Sequence, residues 1–270
     1  MANGPLLRHP AAGTASKLHA IDPASAGWAW TSLEVHRLRA GDRVASVGAA
    51  ADGRERLLLV LEGRARVGLD GVEAGVVGTR ASVFDGPPAG VVLVAPGVGV
   101  TAQATSDALV ALASAPGGPL HRTAVIAPDE ILVEQRGEGA TARRVHHLLS
   151  PAMEAGRLIA FEVFTPGGNW SSYPPHKHDT EDPPTEALLE ELYLYRFVKP
   201  GAFGFQRVYT PDRSLDESYA VGDLDVVLVP RGYHPFGAPV GYDGYYLNVM
   251  AGPNRAWHFT VDPDHQWLMN

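Results

Sequence analysis

Short runs of Val, Leu and aromatic residues, each cut off by a Gly or Pro turn, limit the folds open to this chain more than any other feature. Residues 57–61 run into Glu62-Gly63, 91–94 into Ala95-Pro96-Gly97, and 161–164 into Pro166-Gly167-Gly168. Further on, 192–197 run into Lys199-Pro200-Gly201, 226–229 into Pro230-Arg231-Gly232, and 245–250 into Gly252-Pro253. Short apolar runs bounded by such breakers read as buried strands, and their recurrence reads as an all-β sandwich or barrel. Sustained 3.6-residue periodicity is nearly absent, so few and short helices are expected. One short helix or turn is expected over 184–192, where helix formers follow a Pro, and a second short helix over 141–149. With 30 Gly, 22 Pro and only 19% charged against 45% hydrophobic residues, the balance is opposite to that of a disordered chain.

The same pattern occurs twice. Residues 53–69 resemble 189–205 in order: an acidic residue (Glu55, Glu191), an apolar run, a Gly turn and a second run. Residues 92–99 resemble 227–234 in the same way, about 135 positions later. Two copies of one β-domain follow, divided within 115–140, where Ala115-Pro116-Gly117-Gly118-Pro119 and Arg136-Gly137-Glu138-Gly139 break the pattern. The expected units are 1–125 and 126–270. If Gly97 corresponds to Gly232, Gly99 stands where the second copy has His234, so the first copy is expected to lack metal ligands.

The 270 residues include no cysteine, which excludes a disulfide scaffold, a thiol nucleophile and thiolate-held metal. The net charge of −8, without a basic run, argues against nucleic acid. The uncharged stretch 86–106 carries too many Pro and Gly residues for a spanning helix, and the N-terminus lacks the apolar core of a signal peptide. No membrane association and a cytoplasmic location are therefore expected. Homo-oligomerisation is left open.

The chemistry concentrates in Tyr173-Pro174-Pro175-His176-Lys177-His178-Asp179. His-X-His on a strand puts both imidazoles on one face, half of a metal site. Downstream, Glu190-Glu191 opens an apolar run, and Pro230-Arg231-Gly232-Tyr233-His234 sets a third His past a tight turn. Period-two alternation groups Glu191 with Tyr193 and Tyr195, and Glu190 with Leu192 and Leu194. The Glu/Tyr face suits a polar interior, so Glu191 is favoured as ligand, with Glu190 the alternative. Three His and one Glu leave open positions on a divalent ion, as catalytic sites do. This order of residues resembles the cupins, apart from an insert of twelve residues between His178 and Glu191 that must loop out and return. His146-His147 are adjacent and point apart, and are read as structural.

Longer matches are more specific. Residues 169–179, Phe205-Gln206-Arg207-Val208-Tyr209-Thr210, residues 212–217, 226–235 and 245–253, and Asp262-Pro263-Asp264-His265 closely resemble the 5-deoxy-glucuronate isomerase family of myo-inositol catabolism. The likeness is strong over about 160–268 and weaker but collinear before that. A more distant likeness is to the uronate ketol-isomerases of pectin breakdown. The resemblance implies a bicupin of two tandem, jelly-roll-like β-barrels that interconverts 5-deoxy-D-glucuronate and 5-dehydro-2-deoxy-D-gluconate. Carried over by motif from the pectin enzymes, it implies zinc on His176, His178, Glu191 and His234. Manganese, iron and nickel also accept such ligands. The expected mechanism is metal-assisted, through an enediolate, with Tyr193, Glu190, Tyr246 and His258 as candidate bases. Arg207 or Gln206, whichever faces inward, and Trp170 and Asn248 are candidates for binding the uronate substrate. A metal-dependent cupin oxygenase and a non-catalytic sugar-binding bicupin are the rival readings.

Overall fold

A computed structural model describes residues 6–46 and 52–269. The first five residues of the N-terminal stretch read above lie outside the described residues. Among the described residues the chain is all-β, with one four-residue α-helix, Pro23–Ala26, and three short 3-10 segments.

Two large antiparallel sheets dominate. One has the strand order Ala124–Ile126, Gly90–Val94, Arg54–Glu62, Ala108–Pro116, Ser32–Leu38, Lys17–Ile21. The other runs Leu7–Arg8, Val226–Val229, Glu190–Phe197, Gly244–Ala251, Ile159–Thr165, Arg143–Leu149, Val133–Arg136. Each half adds a four-stranded sheet: Arg43–Ser46, Val100–Ala104, Ala65–Leu69 and Val72–Val77 in the first, and Trp170–Ser171, Phe236–Gly237, Gly204–Tyr209 and Asp216–Val221 in the second. The N-terminal strand Leu7–Arg8 crosses over and pairs with Val226–Val229, closing the edge of the other half's sheet.

The central strands of the two large sheets share one register. Arg56 lies opposite Val94 as Glu191 lies opposite Val229, and Leu58 opposite Leu112 as Tyr193 opposite Asn248. This corrects the equivalence of Glu55 and Glu191: the partner of Glu191 in the first half is Arg56, and Glu55 corresponds to Glu190. Matching acid to acid slipped the comparison by one residue, and a slip of one exchanges the two faces of a strand.

Alternation along these strands sorts the core. Leu57, Leu59 and Leu61 join Leu192, Leu194, Val226 and Leu228 in one apolar cluster that runs through both halves. Leu58, Val60, Val92, Val94 and Val110 face the other way and fill the interior of the first half. Burying each such side chain contributes roughly 1.5–3 kcal/mol.

Two carboxylates tie the halves together in mirrored fashion. Glu55 accepts backbone N–H groups of Gly156 (2.8 Å), Leu158 (2.6 Å) and Arg157. Glu190 accepts those of Ala29 (2.7 Å), Trp30 (2.7 Å) and Thr31 (3.2 Å). A third tie is the buried ion pair of Arg80 with Glu162, which also accepts from Tyr245 Oη (2.8 Å) and faces His146 Nδ1 at 3.0 Å. Burial alone would raise the Glu162 carboxyl, but the Arg80 charge and the His146 hydrogen bond outweigh it and lower it to about 2.

The helix expected over 141–149 does not form, and of the helix or turn expected over 184–192 it is a turn that forms. Gly139–Thr141 is a 3-10 turn and Arg143–Leu149 is a strand, paired on both sides by Val133–Arg136 and Ile159–Thr165. Residues 183–185 make a turn closed by a bridge between Asp182 and Glu186, and the chain is extended again from Glu190. Ladder bonds to neighbours outweigh a helix propensity worth only tenths of a kcal/mol per residue, about 0.7 at most for ordinary residues.

Candidate metal centre

The site forms on the inward face of the seven-stranded sheet. Along Glu190–Phe197, Glu191, Tyr193 and Tyr195 point inward, and Tyr246 and Asn248 stand opposite them on Gly244–Ala251. His176 belongs to a two-residue strand paired with Thr260–Val261, and His178 follows it. The insert after His178 is pinned where it leaves and returns. Glu186 accepts from the Asp179 and Thr180 N–H groups (2.8 and 2.9 Å) and from Lys177 Nζ (2.8 Å). The Leu189 N–H then donates to the His178 carbonyl at 2.9 Å, which brings Glu191 beneath His178. Asp179 also accepts from the Gly232 N–H (2.8 Å), fixing the turn that carries His234.

All three imidazoles are oriented alike. Nδ1 of His176, His178 and His234 donates to the carbonyls of Pro174 (3.0 Å), Leu189 (2.9 Å) and Gly232 (2.9 Å). A carbonyl only accepts, so Nδ1 carries the proton and the Nε2 lone pair is free to ligate. Glu191 Oε2 lies 3.0 Å from His178 Nε2 and 3.1 Å from His234 Nε2. Its other oxygen accepts from Asn248 Nδ2 at 2.6 Å.

Donor atoms of His178, Glu191 and His234 all fall within 4.8 Å of one another. Ligands held roughly 2.0–2.2 Å from one ion lie up to about 4.4 Å apart, and the Glu191 oxygen is well inside that limit from both imidazoles, so the trio needs to contract by only a few tenths of an ångström at most. His234 Nε2 is buried and makes no hydrogen bond, as an atom aimed at a cation would be. The set therefore fits a divalent ion. His176 stands just outside this trio, its ring centroid 5.0 Å from that of His234 and 6.3 Å from that of His178.

Electrostatics agree with the geometry. Burial and the neighbouring imidazoles push His176 down to about 3, so it is neutral and able to ligate. Burial would raise Glu191, but the close approach of the His178 and His234 imidazoles outweighs it and holds the carboxyl well below its ordinary range. Burial would lower His178, but Glu191 outweighs it and raises it.

Beside the trio is a cavity of about 50 Å³ lined in part by Arg143, Ser172, His176, Tyr193, Tyr246 and Trp257. Ser172 has φ of +48°, a strained value for a non-glycine residue, and so brings Oγ to 3.0 Å from Tyr193 Oη and 3.3 Å from Tyr246 Oη. Burial raises both phenols above their usual range, Tyr193 strongly.

Several candidate residues lie elsewhere. Glu190 faces away and is spent on the backbone at 29–31, and the side chain of His258 is exposed. Arg207 points outward into a bidentate pair with Asp216 (2.7 and 2.8 Å). Gln206 is the inward-facing member of that pair, but it accepts from Tyr195 Oη and donates to the His234 carbonyl (3.2 Å), so it braces the His234 turn. Trp170 is 44% exposed and packs on Tyr173. His146 and His147 pair with Glu162 and Glu134, outside the trio. Sequence reasoning missed Arg143, hidden inside the expected helix, and Trp257, whose ring lies 5.6 Å from that of His178. Strand periodicity over 143–149 would have found Arg143; no signal marked Trp257.

A model of the KduI/IolB family matches residues 6–268. The chain is 44% identical over 249 residues to the 5-deoxy-glucuronate isomerase of Geobacillus thermodenitrificans, covering 92% of this chain and 90% of that protein. It is 41% identical to the 5-deoxy-glucuronate isomerase of Halalkalibacterium halodurans over 98% of both. The crystal structure of an IolB-like protein from Salmonella typhimurium superposes with a TM-score of 0.94 at 40% identity, covering 99% of this chain and 100% of that one. Oxalate decarboxylase of Lactobacillus farciminis, at 12% identity, superposes with a TM-score of 0.62 over 100% of this chain and 91% of its own. That likeness identifies the all-β fold as the bicupin type.

Proposed function

The chain belongs to the KduI/IolB family, and from that premise we propose that it is the isomerase that interconverts 5-deoxy-D-glucuronate and 5-dehydro-2-deoxy-D-gluconate in myo-inositol catabolism. The observation that carries the reading is the convergence of His178, Glu191 and His234, with His176 beside them and all three Nε2 lone pairs freed by backbone carbonyls, next to a cavity lined by hydroxyl groups. We assign a zinc ion to this site, where His178, Glu191, His234 and His176 would hold it. When bound, the ion supplies Lewis acidity, which lowers the cost of removing a proton next to a carbonyl.

The chain's own residues do the rest. Asn248 Nδ2 orients Glu191, and its Oδ1, buried without a partner, accepts a substrate hydroxyl. The raised Tyr193 and Tyr246 stay protonated at neutral pH. With Ser172 they form a hydroxyl relay that would take up the proton leaving C2 and return one to C1, while a second proton passes from O2 to O1, so that aldose and ketose differ only in the place of two hydrogens. Ligand cavities measure roughly 300–1,000 Å³, so this cavity must widen to admit the sugar. Residues 126–270 form the catalytic unit, and residues 1–125 form its partner. No helix among the described residues is long and apolar enough to cross a membrane, and a cytoplasmic location accompanies this metabolic role.

The test is to incubate metal-loaded protein with 5-deoxy-glucuronate and follow the aldehyde by NMR. Conversion to the ketose, abolished by a chelator and restored by zinc, is expected; unchanged substrate overturns the reading. Turnover without dioxygen separates it from an oxygenase.

A further inference from the structure

We propose that Arg143 is the residue that receives the substrate's carboxylate and sets the preference for a sugar acid over a neutral sugar. Its strand, Arg143–Leu149, alternates so that Arg143 and Val145 line the cavity while His146 faces the first half. The guanidinium shares that cavity with His176, Tyr193 and Asn248. It donates to the carbonyls of Thr141 (2.8 Å) and, weakly, Tyr173 (3.4 Å). These contacts aim the group and neutralise none of its charge.

Among the described residues no carboxylate lies within 4.0 Å of Arg143. The other cations near the site are already engaged. Arg136, also on the cavity wall, is held bidentate by Glu134 (3.2 and 2.7 Å), which His147 faces as well at 2.8 Å. Lys177 is held by Asp179 and Glu186 (2.7 and 2.8 Å). Arg207 is on the outer surface with Asp216. A half-buried guanidinium without a counter-ion is costly unless an anion completes it, and its planar fork matches a carboxylate. Arg143 and His176 border one cavity, and His176 and Asn248 join that cavity to the metal trio beside it, so a ligand with oxygens at one end and a carboxylate at the other satisfies both. The inference rests on the isomerase reading only for the identity of that ligand.

Two measurements separate the inference from that reading. The first compares 5-deoxy-D-glucuronate with 5-deoxy-D-glucose, which has an alcohol in place of the carboxylate, as substrates. Arg143→Gln is expected to lower kcat/KM for the acid roughly 100-fold, mainly through KM, and to leave the neutral sugar within about twofold. Arg143→Lys is expected to recover part of the loss, because it restores charge without the fork. The second titrates D-glucuronate and D-glucose onto the metal-loaded protein by calorimetry. Wild type is expected to prefer the acid at least about tenfold, and Arg143→Gln to lose that preference. If wild type turns over neither deoxy-sugar but shows this binding preference, the isomerase reading fails and the anion anchor stands. If Arg143→Gln keeps its native circular dichroism and metal content yet retains the preference, the anchor is overturned. Should that variant fail to fold, an undiminished preference in Arg143→Lys overturns it equally.

Discussion

At equivalent positions of the two large sheets stand opposite charges, Arg56 in the first half and Glu191 in the second. The neighbouring pairs differ in the same direction. Tyr193 faces Asn248 where Leu58 faces Leu112, and Tyr195 faces Tyr246 where Val60 faces Val110. Gly99, at the position of His234, has no side chain to offer. The first half fills its interior with hydrocarbon and turns Arg56 to Asp52 and the Arg54 carbonyl. The second keeps an interior of hydroxyls, amide and imidazoles. The sheet tolerates both because inward and outward faces alternate independently: the outward leucines of both halves form one shared core whatever the interiors contain. The interior of the first half is thus packed with hydrocarbon, and its outer face shares a core with the second. The two carboxylate clamps and the Arg80–Glu162 pair are polar ties that add to the shared core and the Leu7–Arg8 strand pairing.

The largest break in this comparison is Glu191→Gln, expected to strip the metal and lower kcat/KM by on the order of 1,000-fold, against a change within about twofold for Arg56→Gln. Elemental analysis and the NMR assay on both variants check it.

Next is the tie between the halves. Arg80→Met leaves Glu162 buried without its cation and is expected to cost about 3–5 kcal/mol in denaturant unfolding. The sign with pH follows from Glu162, lowered in the folded protein to about 2 from 4.5. Its stabilisation, about 3 kcal/mol, is complete above pH 4.5 and is lost as pH falls from there towards 2. Wild type is therefore expected to lose stability across that window, and the gap to Arg80→Met to narrow there.

Asn248→Leu imports the first half's residue beside Glu191 and is expected to weaken metal affinity about 10–100-fold, read by competition with a chelator. The smallest expected effect tests the mirrored clamps. Glu55→Gln and Glu190→Gln should each cost about 1–3 kcal/mol, by similar amounts, with metal content unchanged. Loss of metal in Glu190→Gln alone would break the symmetry and return Glu190 to the site.

Much of the site was legible because alternation in a strand is a local property. Glu191, Tyr193 and Tyr195 had to share a face, and the Leu192/Leu194 face had to be the packed one. The residue types of the His set were equally plain. Arg143 was not, since a segment with Leu and Arg reads as a helix until two neighbouring strands claim its backbone. The half-to-half equivalence slipped by one because Glu55 and Glu191 look alike, whereas the register aligns Arg56 with Glu191.

The sequence by itself determined an all-β chain, a repeated strand pattern, and a cysteine-free set of candidate ligands, His176, His178, Glu191 and His234. Turn chemistry and period two act over a few residues and need no partner. Only the tertiary structure decided which charges are matched. Glu190 is spent on a backbone 160 residues away, Arg207 on a neighbouring strand, and Arg143 on no carboxylate among the described residues. Charge pairing depends on distance in space and on burial, and the fold sets both by bringing together segments that are far apart in the chain.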